Sequence, residues 1–124
     1  MLSFLRSRLK SIRFALEGWW YVLRTQRNTW VHASITTGVI ILGVWLQLSP
    51  QDWAILLITI ALVWAAEFFN TSLEALADLI HPDEHPQIKI IKDVSAAGVL
   101  ITATAAILIG LLILGPPLVD LLIR

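Results

Sequence analysis

Apolar residues recur every three or four positions from residue 2 to residue 23. At about 100° per residue these positions share one face of a helix, and basic residues line its flank. The pattern is typical of a helix that lies on an anionic membrane surface, although a core helix of a soluble protein has the same period. No small-residue cleavage site follows, so we expect no signal peptide. We predict an amphipathic surface helix over residues 1–28, whose apolar face is Leu2, Leu5, Leu9, Ile12, Leu16, Trp19, Trp20 and Leu23.

Three later stretches carry no Asp, Glu, Lys or Arg: residues 28–51, 53–66 and 94–119. A membrane-spanning helix needs about 20 apolar residues, so the first and third stretches suffice alone. The second has to take in the polar residues that follow it. Ser49 and Pro50 provide an N-cap and a first helical residue, and prolines interrupt the chain within residues 81–86 and 115–117. We predict transmembrane helices over 30–48, 52–80 and 86–115.

The predicted fold class is therefore an all-α membrane protein, with three transmembrane helices and a surface helix in one domain over residues 1–124. Composition agrees, because 57% of the residues are hydrophobic and only 15% are charged, against about 25% charged in soluble domains. A soluble helical bundle is the alternative that the uncharged stretches disfavour. The absence of cysteine excludes a disulfide scaffold and a thiolate metal site. The zero net charge predicts no nucleic-acid partner.

Basic residues are unevenly distributed along the chain. With the N-terminus inside, eight of the nine Lys and Arg residues lie in cytoplasmic segments, and only Arg124 lies outside. This bias predicts a multi-pass protein of the cell (inner or plasma) membrane with a cytoplasmic N-terminus. Small residues on one face of the third predicted span favour close helix contacts and a homo-oligomer, or packing within one chain. They are Ser95, Gly98, Thr102 and Ala105 or Ala106.

Polar residues follow one another at helical spacing where the second span reaches the cytoplasm. Glu67, Asn70, Glu74 and Asp78 fall within about 80° of one another on a helix. An ionisable residue at membrane depth is a functional candidate, and the structural alternative is an ion pair with Lys89 or Lys92. Carboxylates beside lysines suit a site for Mg²⁺ and phosphate, with one carboxylate left as a general base.

The common nucleotide motifs are missing from this sequence. Gly38 and Gly43 have the spacing of a phosphate-binding loop, but Val44 and Trp45 follow where Lys and Ser or Thr belong. His32 is expected at a membrane interface or against a neighbouring helix. Trp64 lies one turn before Glu67, where it contacts either a lipid or another helix. Any kinase with this sequence belongs to a different design.

Two segments carry a resemblance to a known family. The sequence EFFNTSLEALAD at 67–78, followed by HPQIKIIKDVSAAGVL at 85–100, resembles the signature of prokaryotic diacylglycerol kinases and undecaprenol kinases. The segment RNTWVH at 27–32 resembles the one that precedes the first membrane helix in the undecaprenol-kinase branch. The resemblance runs from about Phe14 to Ile113.

The resemblance implies a small trimeric membrane kinase that transfers phosphate from MgATP to a lipid alcohol, in an active site shared between subunits. Glu67 matches the proposed general base, Asn70 its polar neighbour and Glu74 a metal-binding carboxylate. Nucleotide-site positions are matched by Asp78, Lys92 and Asp93, and Glu74 belongs to the same site. Gln26 stands where many relatives have a metal-binding Glu, so it is a weak ligand at most.

We predict ATP- and Mg²⁺-dependent phosphorylation of a membrane lipid alcohol at the cytoplasmic face. Undecaprenol is the first acceptor, on the resemblance of residues 27–32. The alternative acceptor is diacylglycerol, which would give phosphatidic acid. A rival from another class is a non-catalytic membrane subunit or small transporter, for which Gln26 is the support.

Overall fold

The computed structural model describes residues 1–81 and 85–123, with the side chains of residues 2, 3 and 5 excepted. The described residues form four helices: α1 (Leu2–Thr25), α2 (Arg27–Trp45), α3 (Pro50–Ile80) and α4 (Pro86–Ile123). The break between α3 and α4 is where the prolines predict it, although Pro82, Asp83 and Glu84 lie outside the described residues, as does Arg124. This all-helical architecture confirms the predicted helix content.

Helices α3 and α4 are long and apolar enough to cross a membrane, by length and composition alone. With 31 and 38 residues they extend about 46 and 57 Å, more than the roughly 30 Å of a bilayer core. They form an antiparallel hairpin with the most extensive contacts in the chain. A shorter contact joins α1 to α3, where Trp19 lies with its ring centroid 4.7 Å from those of both Trp64 and Phe68.

The α2–α3 turn is closed by local hydrogen bonds. Ser49 caps α3 as predicted, because its Oγ accepts the Asp52 N–H at 3.2 Å and Pro50 opens the helix. Helix α2, however, ends at Trp45 and not at residue 48. Gln47 adopts φ 53°, and the N–H groups of Gln47 and Leu48 donate to carbonyls of the last helical turn. This left-handed motif stops the helix without a glycine.

The predicted helix break at Pro116 and Pro117 is wrong, since α4 continues through both residues to Ile123. A proline disfavours helix in the preceding residue by clashing with its Cβ, and Gly115 has none. Apolar residues on both sides of the pair favour one continuous helix in an apolar environment, where prolines are tolerated.

The interior of a single chain is half polar. Its buried apolar residues are Val22, Leu56, Val63, Ala77 and Leu114, and its buried polar residues are Thr29, Thr59, Glu67, Asn70 and Thr71. Most large apolar side chains of α3 and α4 are exposed instead; Leu112, for example, is 75% exposed. The chain thus directs its apolar surface outward, as expected of helices that contact lipid or other subunits.

Candidate active site

Helix α3 places a carboxylate in the centre of the molecule. Glu67 is 2% exposed, and its backbone carbonyl accepts a hydrogen bond from the Thr71 hydroxyl at 2.9 Å. Asn70 and Glu74 follow at one and two further turns on the same face, so three of the four residues of the predicted stripe face the interior of the chain. A carboxyl group buried this deeply is costly unless it has polar partners or a chemical role.

His32 of α2 is a polar neighbour of this carboxylate. Its Nε2 lies 3.8 Å from Oε2 of Glu67, and its side chain is 15% exposed. The sequence interpretation placed His32 at an interface or against another helix, and the second of these is correct. Its position beside Glu67 depends on the packing of α2 on α3, which helical spacing within either segment does not reveal.

A chain of hydrogen bonds around Glu74 connects helices α3 and α4 with the residue that joins α1 to α2. The Ser95 hydroxyl of α4 donates to Oδ1 of Asn70 at 2.6 Å, and Nδ2 of Asn70 donates to Oε1 of Glu74 at 3.2 Å. From the other side, Nε2 of Gln26 donates to Oε2 of Glu74 at 3.2 Å. Gln26 occupies the single extended position between α1 and α2, which directs its side chain toward α3. Both oxygens of Glu74 are therefore held in fixed directions.

Except for Ser95, these residues line one cleft of about 350 Å³. One wall is polar and comes from α3 and the start of α2, whereas the α4 wall is apolar and built of small and branched residues. The lining residues are Gln26, Asn28, Val31, His32, Glu67, Asn70, Glu74, Ala96, Val99, Leu100 and Ala103. Four of the predicted site residues thus meet here: Gln26, Glu67, Asn70 and Glu74.

The other predicted site residues lie outside this cleft. Asp78 forms an ion pair with Lys92, so for Asp78 the structural alternative of an interhelical pair is observed. Asp93 pairs with Lys89 one turn earlier on α4. Trp64 packs against Trp19 and Phe68, and its Nε1 donates to the Thr36 hydroxyl at 3.2 Å.

The sequence did not predict three residues of the site, which are Asn28, His32 and Ser95. Asn28 and His32 lie one turn apart on the face of α2 that meets α3, within the segment 27–32 whose resemblance was noted. Ser95 was seen only as a small residue for helix packing. The Glu74 carboxylate only accepts and so requires the Asn70 NH₂ on its side, and the Ser95 hydroxyl donates to the amide oxygen that is left on the other side.

The cleft offers oxygen ligands for a cation and a carboxylate that can accept a proton. The described residues contain no group of three or more His, Cys, Asp or Glu side chains that could hold a metal ion. A single carboxylate with amide oxygens nearby does fit Mg²⁺, which uses one or two protein carboxylates and completes its shell with water and phosphate oxygens. Glu67 is separate from that position and is free to accept a proton from a hydroxyl group.

Comparisons with known proteins agree on one family. A family model described as prokaryotic diacylglycerol kinase matches residues 13–114. The chain is 38% identical over 109 residues to an undecaprenol kinase of Bacillus subtilis, covering 88% of this chain and 89% of that protein. It is also 38% identical over 116 residues to a diacylglycerol kinase of Synechocystis, covering 93% of this chain and 66% of that protein.

Proposed function

This chain belongs to the prokaryotic diacylglycerol kinase family, and we propose that its cleft phosphorylates a long polyprenol, with undecaprenol as the acceptor. Membership makes the protein a lipid kinase. The choice of acceptor rests on the Bacillus undecaprenol kinase, whose length the chain covers more completely than that of the Synechocystis diacylglycerol kinase. Diacylglycerol remains the second candidate on the name of that relative. The observation that carries the proposal is the buried Glu67 carboxylate, which lines a cleft with a polar and an apolar wall.

In this mechanism Glu67 is the general base. The hydroxyl oxygen of the lipid attacks the γ-phosphorus of ATP, and the bond from that phosphorus to the bridging oxygen of ADP breaks. The hydroxyl proton passes to the Glu67 carboxylate, and Nε2 of His32 lies 3.8 Å from that group. Such positioned proton transfer contributes about 10²–10⁴-fold to a rate.

Glu74 is the residue that would hold Mg²⁺, with the side-chain oxygen of Gln26 as a second, weaker ligand. An ion bound there would neutralise phosphate charge. Asn70 and Ser95 keep the carboxylate in one orientation through their hydrogen bonds, so Asn70 acts by positioning. Trp64 supports the same helix face by packing and stands near the lipid end of the site.

Asp78, Lys92 and Asp93 form the nucleotide end of the site in this proposal. They continue beyond the cleft along α3 and α4, where both helices are longer than a bilayer core requires. The Asp78–Lys92 and Lys89–Asp93 pairs hold two lysines at this end, and a triphosphate would compete with the carboxylates for them. The open side of the cleft is consistent with a composite site completed by a second subunit of a homotrimer.

The membrane arrangement completes the proposal. Helices α2, α3 and α4 span the cell membrane, with α1 on its anionic cytoplasmic surface and the active site at the cytoplasmic face. The support is the basic N-terminal segment, the exposed apolar faces of α3 and α4, and the polar residues gathered at one end of the hairpin.

Transfer of labelled γ-phosphate from MgATP tests the function directly. The protein purified in detergent receives undecaprenol and diacylglycerol side by side, and Glu67→Gln serves as the blank. We expect phosphorylated polyprenol that is absent in the blank. Preferential labelling of diacylglycerol would reassign the acceptor, and no labelling of either lipid by a well-assembled protein would support the non-catalytic alternative.

Gln26→Glu tests the metal position. A second carboxylate beside Glu74 repels it unless a cation lies between them, so we expect Mg²⁺ to bind about tenfold more tightly, or about 1.4 kcal/mol. The measurement is the rise of the unfolding temperature with Mg²⁺ concentration, which reports binding independently of turnover. Gln87→Glu adds the same charge at an exposed site and should leave the titration unchanged. An unaltered midpoint in Gln26→Glu would show that residue 26 is no metal ligand.

A further inference from the structure

A second cavity, apolar and also about 350 Å³, runs between α2, α3 and α4. Along α4 its lining extends from Ala103 to Leu118, a length of about 22 Å at 1.5 Å per residue. This exceeds half of the roughly 30 Å thickness of a bilayer core. We call this cavity the chain groove.

The chain groove begins where the catalytic cleft ends. His32 and Ala103 line both cavities, so the two are continuous on α2 and on α4. On α3, Val63 lines the groove and Glu67, one turn later, lines the cleft. A molecule with its reacting hydroxyl at Glu67 therefore has a path for its tail along the groove.

The polar atoms in the groove wall are already engaged within the protein. The Thr59 hydroxyl donates to the Ile55 carbonyl at 2.8 Å, and the Thr36 hydroxyl accepts from Nε1 of Trp64 at 3.2 Å. Apart from His32, the groove wall thus offers apolar contacts that suit a hydrocarbon chain. Since a lipid tail is equally apolar in the bilayer, the groove binds a tail through van der Waals fit of shape and length and not through apolarity alone.

We propose that the chain groove holds the hydrocarbon tail of the acceptor and so selects single-chain lipid alcohols, an inference that rests on the proposed kinase function. The groove is one cavity between three helices, and in this proposal one hydrocarbon chain occupies it. A long polyprenol has one tail to place in it. A two-chain glycerolipid has to leave its second tail outside, and so gains less from the groove.

Glycines in the groove wall permit a direct test. A Cβ at Gly110 or at Gly115 would meet no atom within 4 Å, so leucine at either position protrudes into space and not into the packed chain. Gly110 lies nearer the cleft than Gly115 by about 7.5 Å of helix. Gly38 has the same open surroundings but lines neither cavity, and Gly38→Leu is therefore the matched control.

Initial rates are measured with geraniol, a short isoprenoid alcohol, and with a long polyprenol, both in mixed micelles with MgATP. In Gly110→Leu we expect the KM for the long polyprenol to rise about tenfold or more, as steric changes in apolar pockets do, with geraniol unaffected. Gly115→Leu, deeper in the groove, should raise it less. The kcat should hold in all variants, because the reacting end is unchanged.

Equal effects on both alcohols, or no effect on either, would overturn the groove assignment while leaving the kinase in place. Loss of the native oligomeric state in Gly110→Leu but not in Gly38→Leu would show that a second copy of the chain fills the groove. Absence of transfer to either alcohol by the unaltered protein is the separate failure of the proposed function.

Photocrosslinking keeps the test independent of how the variants fold. The unaltered protein is irradiated with a polyprenol that carries a benzophenone on its tail, and the adducts are mapped by mass spectrometry. Adducts on the groove wall of α4, between residues 103 and 118, support the proposal. Adducts confined to the outward residues Leu108 and Leu112 overturn it.

Discussion

Glu67→Gln is expected to lower kcat by about 10²–10⁴-fold while the protein remains assembled. The amide matches the carboxylate in size but does not accept the hydroxyl proton. Burying a neutral amide also costs less than burying a carboxylate, so the unfolding temperature should be unchanged or higher. Single-turnover transfer of labelled phosphate measures the first effect, and thermal unfolding in detergent measures the second.

Glu17→Gln is the matched control for this variant. Glu17 is an exposed carboxylate on α1 that pairs with Arg13 at 2.8 Å, so its neutralisation should leave turnover unchanged. A Glu67→Gln protein that retained more than about a tenth of the turnover would show that another group accepts the proton, since general-base catalysis supplies more than that factor.

Glu74→Gln is expected to lower kcat by about 10²–10³-fold, the usual cost of removing one preorganised electrostatic contact. The substitution also rearranges the hydrogen-bond chain, because the new NH₂ group would face an NH₂ group of Gln26 or Asn70, and one of these amides has to turn over. It also removes the carboxylate charge that would hold the cation. We therefore expect Glu74→Gln also to bind the divalent cation more weakly. Electron paramagnetic resonance with Mn²⁺ in place of Mg²⁺ measures this affinity.

The two carboxylates should respond differently to added metal. Excess Mg²⁺ should partly restore Glu74→Gln, since mass action refills a weakened site, and should not restore Glu67→Gln. Asp78→Asn, which removes only the pair with Lys92, should have the smallest effect of the three on Mn²⁺ binding. A Mn²⁺ affinity that is unchanged in Glu74→Gln would remove Glu74 from the metal site.

Helical periodicity predicted the polar stripe of α3 because its signal is local. Glu67, Asn70 and Glu74 share a face whatever the helix packs against, and the structure confirms that they line one cleft. Asp78 belongs to the same stripe but turns to Lys92, since the stripe there has left the interior. The period alone does not show where burial ends.

The site residues that the sequence did not predict depend on contacts between distant segments. Ser95 reaches Asn70 from α4, and His32 reaches Glu67 from α2, so their roles follow from the packing of three helices. The predicted ends of α2 and α4 were wrong for a different reason. Gln47 adopts a left-handed conformation unusual for its type, and Gly115 offsets a proline pair that ordinarily ends a helix.

Because the interior of a single chain is half polar, most of the apolar groups that can stabilise this fold lie on its outside. In a water-soluble protein the solvent drives apolar groups into a core, and the core can be altered only by mutation. Here most of the apolar surface faces outward, so the surrounding lipid or detergent acts as an outer core. Changing the detergent is then physically similar to repacking a protein interior, and a single unfolding temperature describes the protein together with its solvent.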